Sequence, residues 1–508
     1  MTDDRSTIDG TLDGFTLPVR RREEAPVLAL AVAWSREEPH RVGEIAIIDS
    51  EQVLGRGGAR PDDALPRVRL QRQRPGGTTM MEPIDSLRIS RLQLRLRPRG
   101  GVLEVKSIGR CPLLVNGELA ESAEVEPGDT LHLKNELLLM VTRRPERMPP
   151  LRSFPDRDVP FGVADPFGLV GETPAAWAMR DMLAFAARAD GHVLVRGPSG
   201  SGKELAAGAI HRLSARGDKP LVARNAATFP PGLVDAELFG NVKNYPNPGT
   251  AEREGIIGEA DGSTLFLDEI GELPAELQAH LLRVLDRRGE YQRLGESRMR
   301  RADLRVVAAT NRAVEELKHD FAARFTLRVE VPPLAERRED IPLLVRHLLR
   351  RAAAGNEDVR RNFFEARGGH EPEARIAPEL IERLLRHPLR TNTRDLEQNP
   401  LAGAGGEPRQ GGGADAGRGA PAHTPGGLGR DRAAGGEPRA DRGRPGARAR
   451  QRDASGAGPG VEESIRALPA DEEARYRRGR LGRRVSGVTA RRDSESPLAV
   501  AQTANHQQ

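Results

Sequence analysis

A glycine-rich turn between an apolar run and a helical stretch constrains this chain more than any other feature. Val193–Val195 is apolar, and the turn that follows reads G-x-x-x-x-G-K. Glycines at this spacing let successive backbone N–H groups face phosphate oxygens, the helix N-terminus adds positive potential, and the lysine reaches the β- and γ-phosphates. A glycine-rich turn that binds nothing is the alternative. The pattern predicts a phosphate site formed by Gly197, Pro198, Ser199, Gly200, Ser201, Gly202, Lys203 and Glu204.

Composition sets the class of protein. At 508 residues the chain is long enough for about three domains or segments, and its single cysteine, Cys111, excludes an intrachain disulfide. No apolar run is long enough for a signal core or a membrane span, so the expected location is cytoplasmic, without a membrane. The formal charge is +5, but residues 399–508 contain 19 Arg against 13 Asp and Glu, so the remainder is close to neutral and its charge gives no indication of DNA binding.

The composition changes along the chain in a way that predicts a multidomain fold. Short β-rich runs separated by Gly, Pro and Asp turns predict an all-β sandwich, with strands at Val27–Val32, Gly43–Ile48, Leu87–Ser90, Val102–Val105, Leu131–Leu133 and Leu137–Val141. An α/β block, a mostly helical segment and a Gly/Arg/Pro-rich tail follow. The predicted bounds are 1–25 disordered, 26–145 sandwich, 146–166 linker, 167–335 α/β core, 336–398 helical lid and 399–508 disordered tail.

Four short motifs stand out in the predicted sandwich: Leu54-Gly55-Arg56, Ile89-Ser90-Arg91, Val115-Asn116-Gly117-Glu118 and Pro127-Gly128-Asp129. Together they resemble a forkhead-associated (FHA) domain. The resemblance implies a site for a phosphothreonine protein partner, with Arg56, Ser90, Arg91 and Asn116 as candidates, because arginines and a hydroxyl form charge-assisted bonds to phosphate. Gln93 stands where the family usually has a histidine, and Cys111-Pro112 replaces its Asn-Gly. A sandwich that serves for interaction or autoinhibition without phosphopeptide affinity is the alternative.

Two further apolar runs in the α/β block end in polar residues. Gly262–Glu269 ends in Asp268 and Glu269, and Leu304–Asn311 ends in Thr310 and Asn311. A first carboxylate at a strand end orients Mg²⁺, a second polarises the attacking water, and an amide reaches the γ-phosphate. Strand-end capping is the alternative reading for Asn311. Glu204 lacks the hydroxyl that many such turns offer to Mg²⁺, so the pattern assigns more of the metal positioning to Asp268 and the bound phosphates.

A longer series of motifs gives a specific resemblance. In order they are Val170-Gly171-Glu172, the glycine-rich turn, Ala209–His211, Ala236–Gly240, Leu265–Glu269, Gln278–Leu285, Ala309–Asn311, Pro332–Leu334 and Glu336–Ile341. Over about Phe167–Gln398 the chain resembles the AAA+ domain of sigma-54-dependent transcriptional activators. This implies an ATPase with ATP and Mg²⁺ as cofactors, a homo-oligomeric ring (hexameric in that family) and sigma-54 RNA polymerase as partner.

The resemblance also implies roles for single residues. Asn225 restrains Glu269 until ATP is sensed, Asn311 is the first sensor, and Arg394 contacts nucleotide from the lid. The arginines that act on a neighbouring subunit correspond to Arg324 and Lys318, and a lysine lacks the planar fork for bidentate contact. A surface ion pair is the alternative for Arg324.

The chain departs from that family in two places. The loop that grips sigma-54, GAFTGA in the family, corresponds here to Asn244, Tyr245, Pro246, Asn247, Pro248 and Gly249. Two prolines are expected to stiffen it. After Gln398 no helix-turn-helix pattern follows, so DNA binding by this chain is doubtful. We consider a frameshift near Asn399, which the nucleotide sequence would test, and an ordinary disordered basic tail as the two explanations.

Two functions follow from these features. The first is an ATP-dependent transcription regulator whose ring remodels sigma-54 RNA polymerase under control of the FHA-like module. The alternative is a non-enzymatic, phospho-dependent adaptor that binds nucleotide without activating sigma-54. The complete set of nucleotide residues favours the first, and the altered loop and Lys318 favour the second.

Overall fold

The computed structural model describes residues 25–155, 159–230, 232–286, 288–365 and 372–397. The chain splits into two compact units, Met1–Glu407 and Pro408–Gln508, and the second lies entirely outside the described residues. The predictions for residues 1–25, apart from Ala25, and for the tail 399–508 also fall outside them. No helix in the described ranges combines the length and apolar character needed to cross a bilayer.

The N-terminal part is rich in β-sheet. Its strands are β1 Val27–Ser35, β2 Ile45–Ile47, β3 Gln52–Leu54, β4 Gln71–Arg74, β5 Gly77–Met80, β6 Leu94–Arg99, β7 Val102–Ser107, β8 Leu113–Val115, β9 Glu118–Leu119, β10 Ser122–Val125, β11 Thr130–Leu133 and β12 Leu137–Arg144. Eight strands form a sheet in the order β5-β4-β2-β1-β12-β11-β8-β9, and four form a second in the order β10-β7-β6-β3. Alternating buried residues such as Leu94 and Leu96, both 0% exposed, close an apolar core between the sheets.

Local sequence accounts for most of these strands but not for one predicted element. Leu87–Ser90 is a turn, not a strand, and the strand is β6, which begins at Leu94. Gln93, fully buried, accepts the Ser90 backbone N–H on its side-chain oxygen at 3.2 Å and so fixes this turn. By contrast Asn116 and Gly117 form the expected tight turn, with φ of 54° and 85°, and Val115 pairs with Glu118 across it.

The α/β core begins at the first helix. Its elements are α1 Pro174–Arg188, β13 Val193–Arg196, α2 Lys203–Leu213, β14 Leu221–Asn225, α3 Val234–Phe239, α4 Ile256–Glu259, β15 Thr264–Asp268, α5 Ala275–Leu285, β16 Glu290–Tyr291, β17 Arg300–Arg301, β18 Arg305–Thr310, α6 His319–Ala322 and β19 Leu327–Glu330. The five-stranded sheet has the order β14-β15-β18-β13-β19, and its neighbours are parallel. Parallel strands covered on both faces need continuous apolar runs, which explains why β13, β15 and β18 are buried along nearly their whole length.

The helical lid packs beyond the sheet. It begins with residues 336–340, which include a 3-10 helix at Arg338–Asp340. It continues with α7 Ile341–Ala354, α8 Glu357–Phe363, the short strands β20 Phe364–Glu365 and β21 Glu373–Ala374, and α9 Pro378–Arg386, followed by helical residues 393–397. The apolar faces of α7 and α9 share one cluster that includes Leu344 and Leu384. The chain then returns to the edge of the parallel sheet at which β13 and β15 end.

Candidate active site

The glycine-rich turn leads from β13 into α2. Gly200 and Gly202 have φ of 72° and 103°, conformations that L side chains rarely adopt. A Cβ added at Gly200 would lie 2.2 Å from the Thr391 carbonyl oxygen, so the lid segment packs directly on the turn. Glycine is required here for both reasons, conformation and contact.

Lys203 occupies the first position of α2 and points back over the turn. Its ammonium donates to the Gly197 carbonyl at 3.1 Å and lies 3.9 Å from Glu269 Oε1. The side chain is 7% exposed, whereas Glu204 beside it is exposed. A buried lysine beside a helix N-terminus creates the positive potential that a phosphate group needs.

The carboxylates follow the buried strand β15. Asp268 Oδ1 accepts the Glu269 backbone N–H at 2.9 Å, and Glu269 itself has φ 50° and ψ 44°. This left-handed residue turns the chain sharply and directs the carboxylate of Glu269 towards Lys203. A non-glycine residue in that region is uncommon and marks this strand end as constrained.

The two predicted asparagines lie at the same edge of the sheet. Asn225 pairs with Asp268 in the register of β14 and β15, and Asn311 directly follows β18 and is exposed. The Asn225 side-chain oxygen accepts the Ala227 backbone N–H at 2.9 Å, so in this structure it caps the following turn. The implied restraint of Glu269 by Asn225 remains a prediction.

The lid reaches the turn through three neighbouring side chains. Arg394 donates to Ser199 Oγ at 2.9 Å, Asn392 Nδ2 to the Ser199 carbonyl at 2.9 Å, and Thr393 Oγ1 to the Gly200 carbonyl at 2.6 Å. Arg394 was predicted, whereas Asn392 and Thr393 were missed. A run of polar residues around Arg394, directly after an amphipathic helix, was the available signal.

A buried arginine, also missed, supports the back of the turn. Arg337 is 5% exposed and donates to the Ser201 carbonyl at 3.2 Å, while its Nε and Ser201 Oγ lack partners among the described residues. Burial lowers the pKa of Arg337, and Asp340 opposes that shift. Burial likewise raises the pKa of Asp340, which accepts from Thr173 Oγ1 at 2.6 Å. The charged run Glu336–Ile341 was the sequence signal.

Arg324 and Lys318, the residues predicted to act on a neighbouring subunit, lie on the surface away from the glycine-rich turn. Arg324 Nη1 is 2.8 Å from Asp286 Oδ1, and both side chains are 45% exposed. Lys318 precedes α6, is exposed, and donates its backbone N–H to Gln278 Oε1 at 3.2 Å. The ion-pair reading of Arg324 therefore matches this structure, and a role across subunits remains a proposal.

The loop predicted to contact sigma-54 is bonded across its base by the side chain of Asn241. Asn241, 2% exposed, donates through Nδ2 to the carbonyls of Ala251 at 2.8 Å and Tyr245 at 3.3 Å. Asn244 closes the loop, since its side chain accepts the Gly249 N–H at 3.0 Å. Tyr245 is 42% exposed at the surface of this loop.

The phosphopeptide candidates form one group of three residues, with the fourth apart. Arg56 donates its backbone N–H to the Ser90 carbonyl at 3.0 Å, and Arg91 follows Ser90 in the same turn. Ser90 Oγ accepts the Arg110 N–H at 2.9 Å, which places a third, unpredicted arginine beside them. Asn116 lies at the opposite end of β8, where its amide donates to Asp129 Oδ1 at 2.8 Å. Asn116 is thus used for turn structure in this protein.

The carboxylates of Asp268 and Glu269 are the candidate ligands for Mg²⁺, the metal that an ATPase site implies. Asp268 uses Oδ1 for a backbone bond and keeps Oδ2 without a hydrogen bond to the described residues, next to a second carboxylate on Glu269. No group of three or more metal-binding side chains exists in the described ranges. The adjacent carboxylates of Asp268 and Glu269 fit Mg²⁺, which proteins usually hold through one or two carboxylates together with substrate phosphates and water.

The central part of the chain is similar to known proteins. Residues 169–334 match the family model described as the Sigma-54 interaction domain. The transcriptional regulatory protein ZraR of Salmonella typhimurium is 38% identical over 247 residues, covering 47% of this chain and 53% of that protein. The Nif-specific regulatory protein of Bradyrhizobium diazoefficiens is 43% identical over 196 residues, covering 37% and 34%.

Among solved structures, NtrX from Brucella abortus in complex with ATP is similar. It is 30% identical, has a TM-score of 0.41, and covers 48% of this chain and 54% of its own. The chain spans about half the length, or less, of the curated relatives described above. The matched residues include the glycine-rich turn, the strand ending in Asp268 and Glu269, and β18. Residues 169–334 of this chain are therefore similar to the Sigma-54 interaction domain.

Proposed function

We propose that this chain hydrolyses ATP in an oligomeric ring and uses the energy to remodel sigma-54 RNA polymerase, as a regulator of transcription. The observation that carries the proposal is the convergence of Lys203, Glu269 and the lid residue Arg394 on one phosphate-binding turn. The domain match over residues 169–334 and the regulators that resemble this part support the transcriptional role.

Each residue at the turn has a chemical task in this mechanism. Backbone N–H groups of the turn and Lys203 bind the phosphates, and Arg394 holds them from the lid. Asp268 would hold Mg²⁺, which neutralises charge on the phosphates when bound. Glu269 polarises the attacking water. Arg324 of a neighbouring subunit, released from Asp286, stabilises the charge that develops on the transferred phosphoryl group.

ATP turnover per chain, measured at rising concentrations of the full-length protein, tests this proposal. Turnover is expected to increase with concentration, and Glu269→Gln is expected to reduce it by about 100-fold or more, because positioned general bases contribute at least that much. Glu276→Gln, an exposed carboxylate on α5, is the matched control and should leave turnover unchanged. Hydrolysis that is independent of concentration, or that survives Glu269→Gln, contradicts the proposal.

The altered surface loop favours a second candidate. Asn244–Gly249 lacks the Phe-Thr pair and is tied to Asn241, so this loop lacks the usual means of gripping sigma-54. The second candidate is an adaptor that binds nucleotide without hydrolysing it or activating sigma-54. Tight ATP binding without measurable turnover, with and without sigma-54, is the result that selects it.

We further propose that the β-rich domain binds a phosphothreonine peptide through Arg56, Ser90 and Arg91. Their proximity, together with Arg110, supports an anion site at this turn. Fluorescence polarisation with a phosphothreonine peptide library and its unphosphorylated counterparts is the test. Equal affinity for both, or an unchanged affinity in Arg56→Ala, excludes this role and leaves a domain used for interaction alone.

A further inference from the structure

The β-rich domain packs directly on the lid of the ATPase. One buried cluster contains residues of both parts; its members include Ala33, Val42, Leu138 and Met140 from the β-rich domain and Ile341, Leu343, Ile381 and Leu384 from the lid. Trp34 Nε1 donates to the Ile376 carbonyl at 2.8 Å, and Thr130 Oγ1 to Glu382 Oε1 at 2.6 Å. Apolar burial with matched hydrogen bonds makes this a specific interface.

Arg144, at the end of β12, joins the lid to the core with one side chain. Its guanidinium donates to Glu339 Oε2 of the lid at 2.7 Å and to the Glu172 carbonyl of the core at 3.0 Å. Thr142 from the same strand donates to Glu339 Oε1 at 2.5 Å. Arg144 is 2% exposed, so solvent screens these contacts little.

Arg74, at the end of β4, bonds the side chain of Glu172, the core residue whose carbonyl Arg144 contacts. It donates through Nη2 to Glu172 Oε1 at 2.6 Å and through Nε to Oε2 at 3.0 Å, a bidentate pair. Glu172 is 3% exposed and also accepts from Trp177 Nε1 at 3.1 Å. Arg74, Arg144, Glu172 and Glu339 together are called the clamp below.

The clamp is continuous with the phosphate-binding turn. The Glu172 backbone N–H donates to Asp340 Oδ1 at 2.7 Å, and Asp340 belongs to the same turn of the lid as Arg337. Arg337 in turn donates to the Ser201 carbonyl at 3.2 Å. The four residues of this path, Glu172, Asp340, Arg337 and Ser201, are all buried. A shift of the lid relative to the core at Asp340 must therefore change contacts at both the clamp and the turn.

We propose that the clamp holds the lid in a fixed position against the core and thereby restrains the ATPase, an inference that rests on the proposed function. Nucleotide enzymes with lids turn over through movement of the lid against the core. The β-rich domain bonds to both at once, so any such movement must break at least one contact of the clamp. Release of the clamp frees the lid, which tightens ATP binding and raises turnover. ATP binding and docking of the β-rich domain on the lid are linked because both act on the same equilibrium between positions of the lid.

Full-length Arg144→Ala and Glu339→Gln test the clamp. Both variants are expected to raise turnover and lower the Kd for ATP by roughly five-fold, the lower end of typical coupling between sites. The double variant should show no further gain, since both changes break the same contact. Arg143→Ala is the matched control, because the neighbouring exposed arginine donates to the Gly101 carbonyl within the β-rich domain and touches neither lid nor core.

Hydrogen exchange on the same proteins separates release from misfolding. In Arg144→Ala the amides of α9 and β11 should exchange faster, while those of β13 and β18 remain protected. A variant that loosens the interface without changing either Kd or turnover overturns the clamp. Wild-type protein that neither binds nor hydrolyses ATP instead refutes the proposed function, and the clamp with it.

Discussion

Gly200 shows how a single residue serves both the glycine-rich turn and the lid. Its φ of 72° is accessible to glycine at no steric cost, and its missing side chain leaves room for the Thr391 carbonyl. Gly208, five residues after Lys203 on α2, meets nothing within 4 Å where a Cβ would stand. Two glycines so near in sequence therefore respond in opposite ways to the same substitution.

Gly200→Ala is expected to destabilise the protein by about 1–2 kcal/mol for the left-handed backbone alone. The contact with Thr391 adds to that cost and displaces the lid residues Asn392–Arg394, so the Kd for ATP should rise. Gly208→Ala is expected to stabilise the helix by roughly 0.5–1 kcal/mol. Denaturant unfolding and ATP titration of the two variants measure both effects, and a loss of stability in Gly208→Ala that equals the loss in Gly200→Ala contradicts the interpretation.

At the scale of single elements, Asn241 holds the base of the loop Asn244–Gly249. This buried amide spans the base of the loop and bonds carbonyls on both sides of it. The two prolines alone were expected to stiffen the loop, and the hydrogen bonds of Asn241 provide a second source of rigidity. The loop and the proposed ATP site lie on different elements, so their effects can be separated by mutation.

Asn241→Ala is expected to increase amide exchange at residues 242–251 at least several-fold, because each lost buried hydrogen bond leaves an unsatisfied carbonyl that costs about 1–3 kcal/mol. ATP turnover should stay within about two-fold of wild type, a change equivalent to less than 0.5 kcal/mol. Exchange measured by mass spectrometry on the full chain decides the matter. Unchanged protection of this loop against exchange in Asn241→Ala would mean that the two prolines alone keep it rigid.

Sequence patterns predicted local elements well and long-range contacts poorly. The glycine-rich turn, β15 with Asp268, and the Asn116-Gly117 turn each depend on a few adjacent residues, and all three occur in the structure. The prediction of a strand at Leu87–Ser90 was wrong because these residues form a turn, in which Ile89 is buried, Leu87 is exposed, and Gln93 fixes Ser90 from outside the run. Arg337 and the clamp join residues far apart in sequence, so no local pattern could pair Arg74 with Glu172.

At the scale of the whole described unit, the half-buried His192 links separate elements of the α/β core through its neutral imidazole. His192 precedes β13 and contacts two other elements of the core. Its Nδ1 accepts the Val306 backbone N–H at 2.9 Å, and its Nε2 lies 3.1 Å from the Leu285 carbonyl. The two bonds require one tautomer, with the proton on Nε2, because a protonated Nδ1 would face another N–H group.

Burial lowers the pKa of His192 below its ordinary value of 6.5, and the hydrogen bond to Leu285 opposes that shift. The unfolded chain therefore binds more protons than the folded chain between the folded pKa and 6.5, so this stabilisation is complete above about pH 6.5 and is lost as the pH falls through the folded pKa. We expect the free energy of unfolding of the wild type to fall on acidification by up to about 1.4 kcal/mol per pH unit from this residue. His192→Gln, which keeps an acceptor and a donor but does not titrate, should have a correspondingly smaller slope between pH 7.5 and 5.5 in denaturant unfolding. Equal slopes in the two proteins would show that His192 does not contribute to the acid sensitivity of the fold.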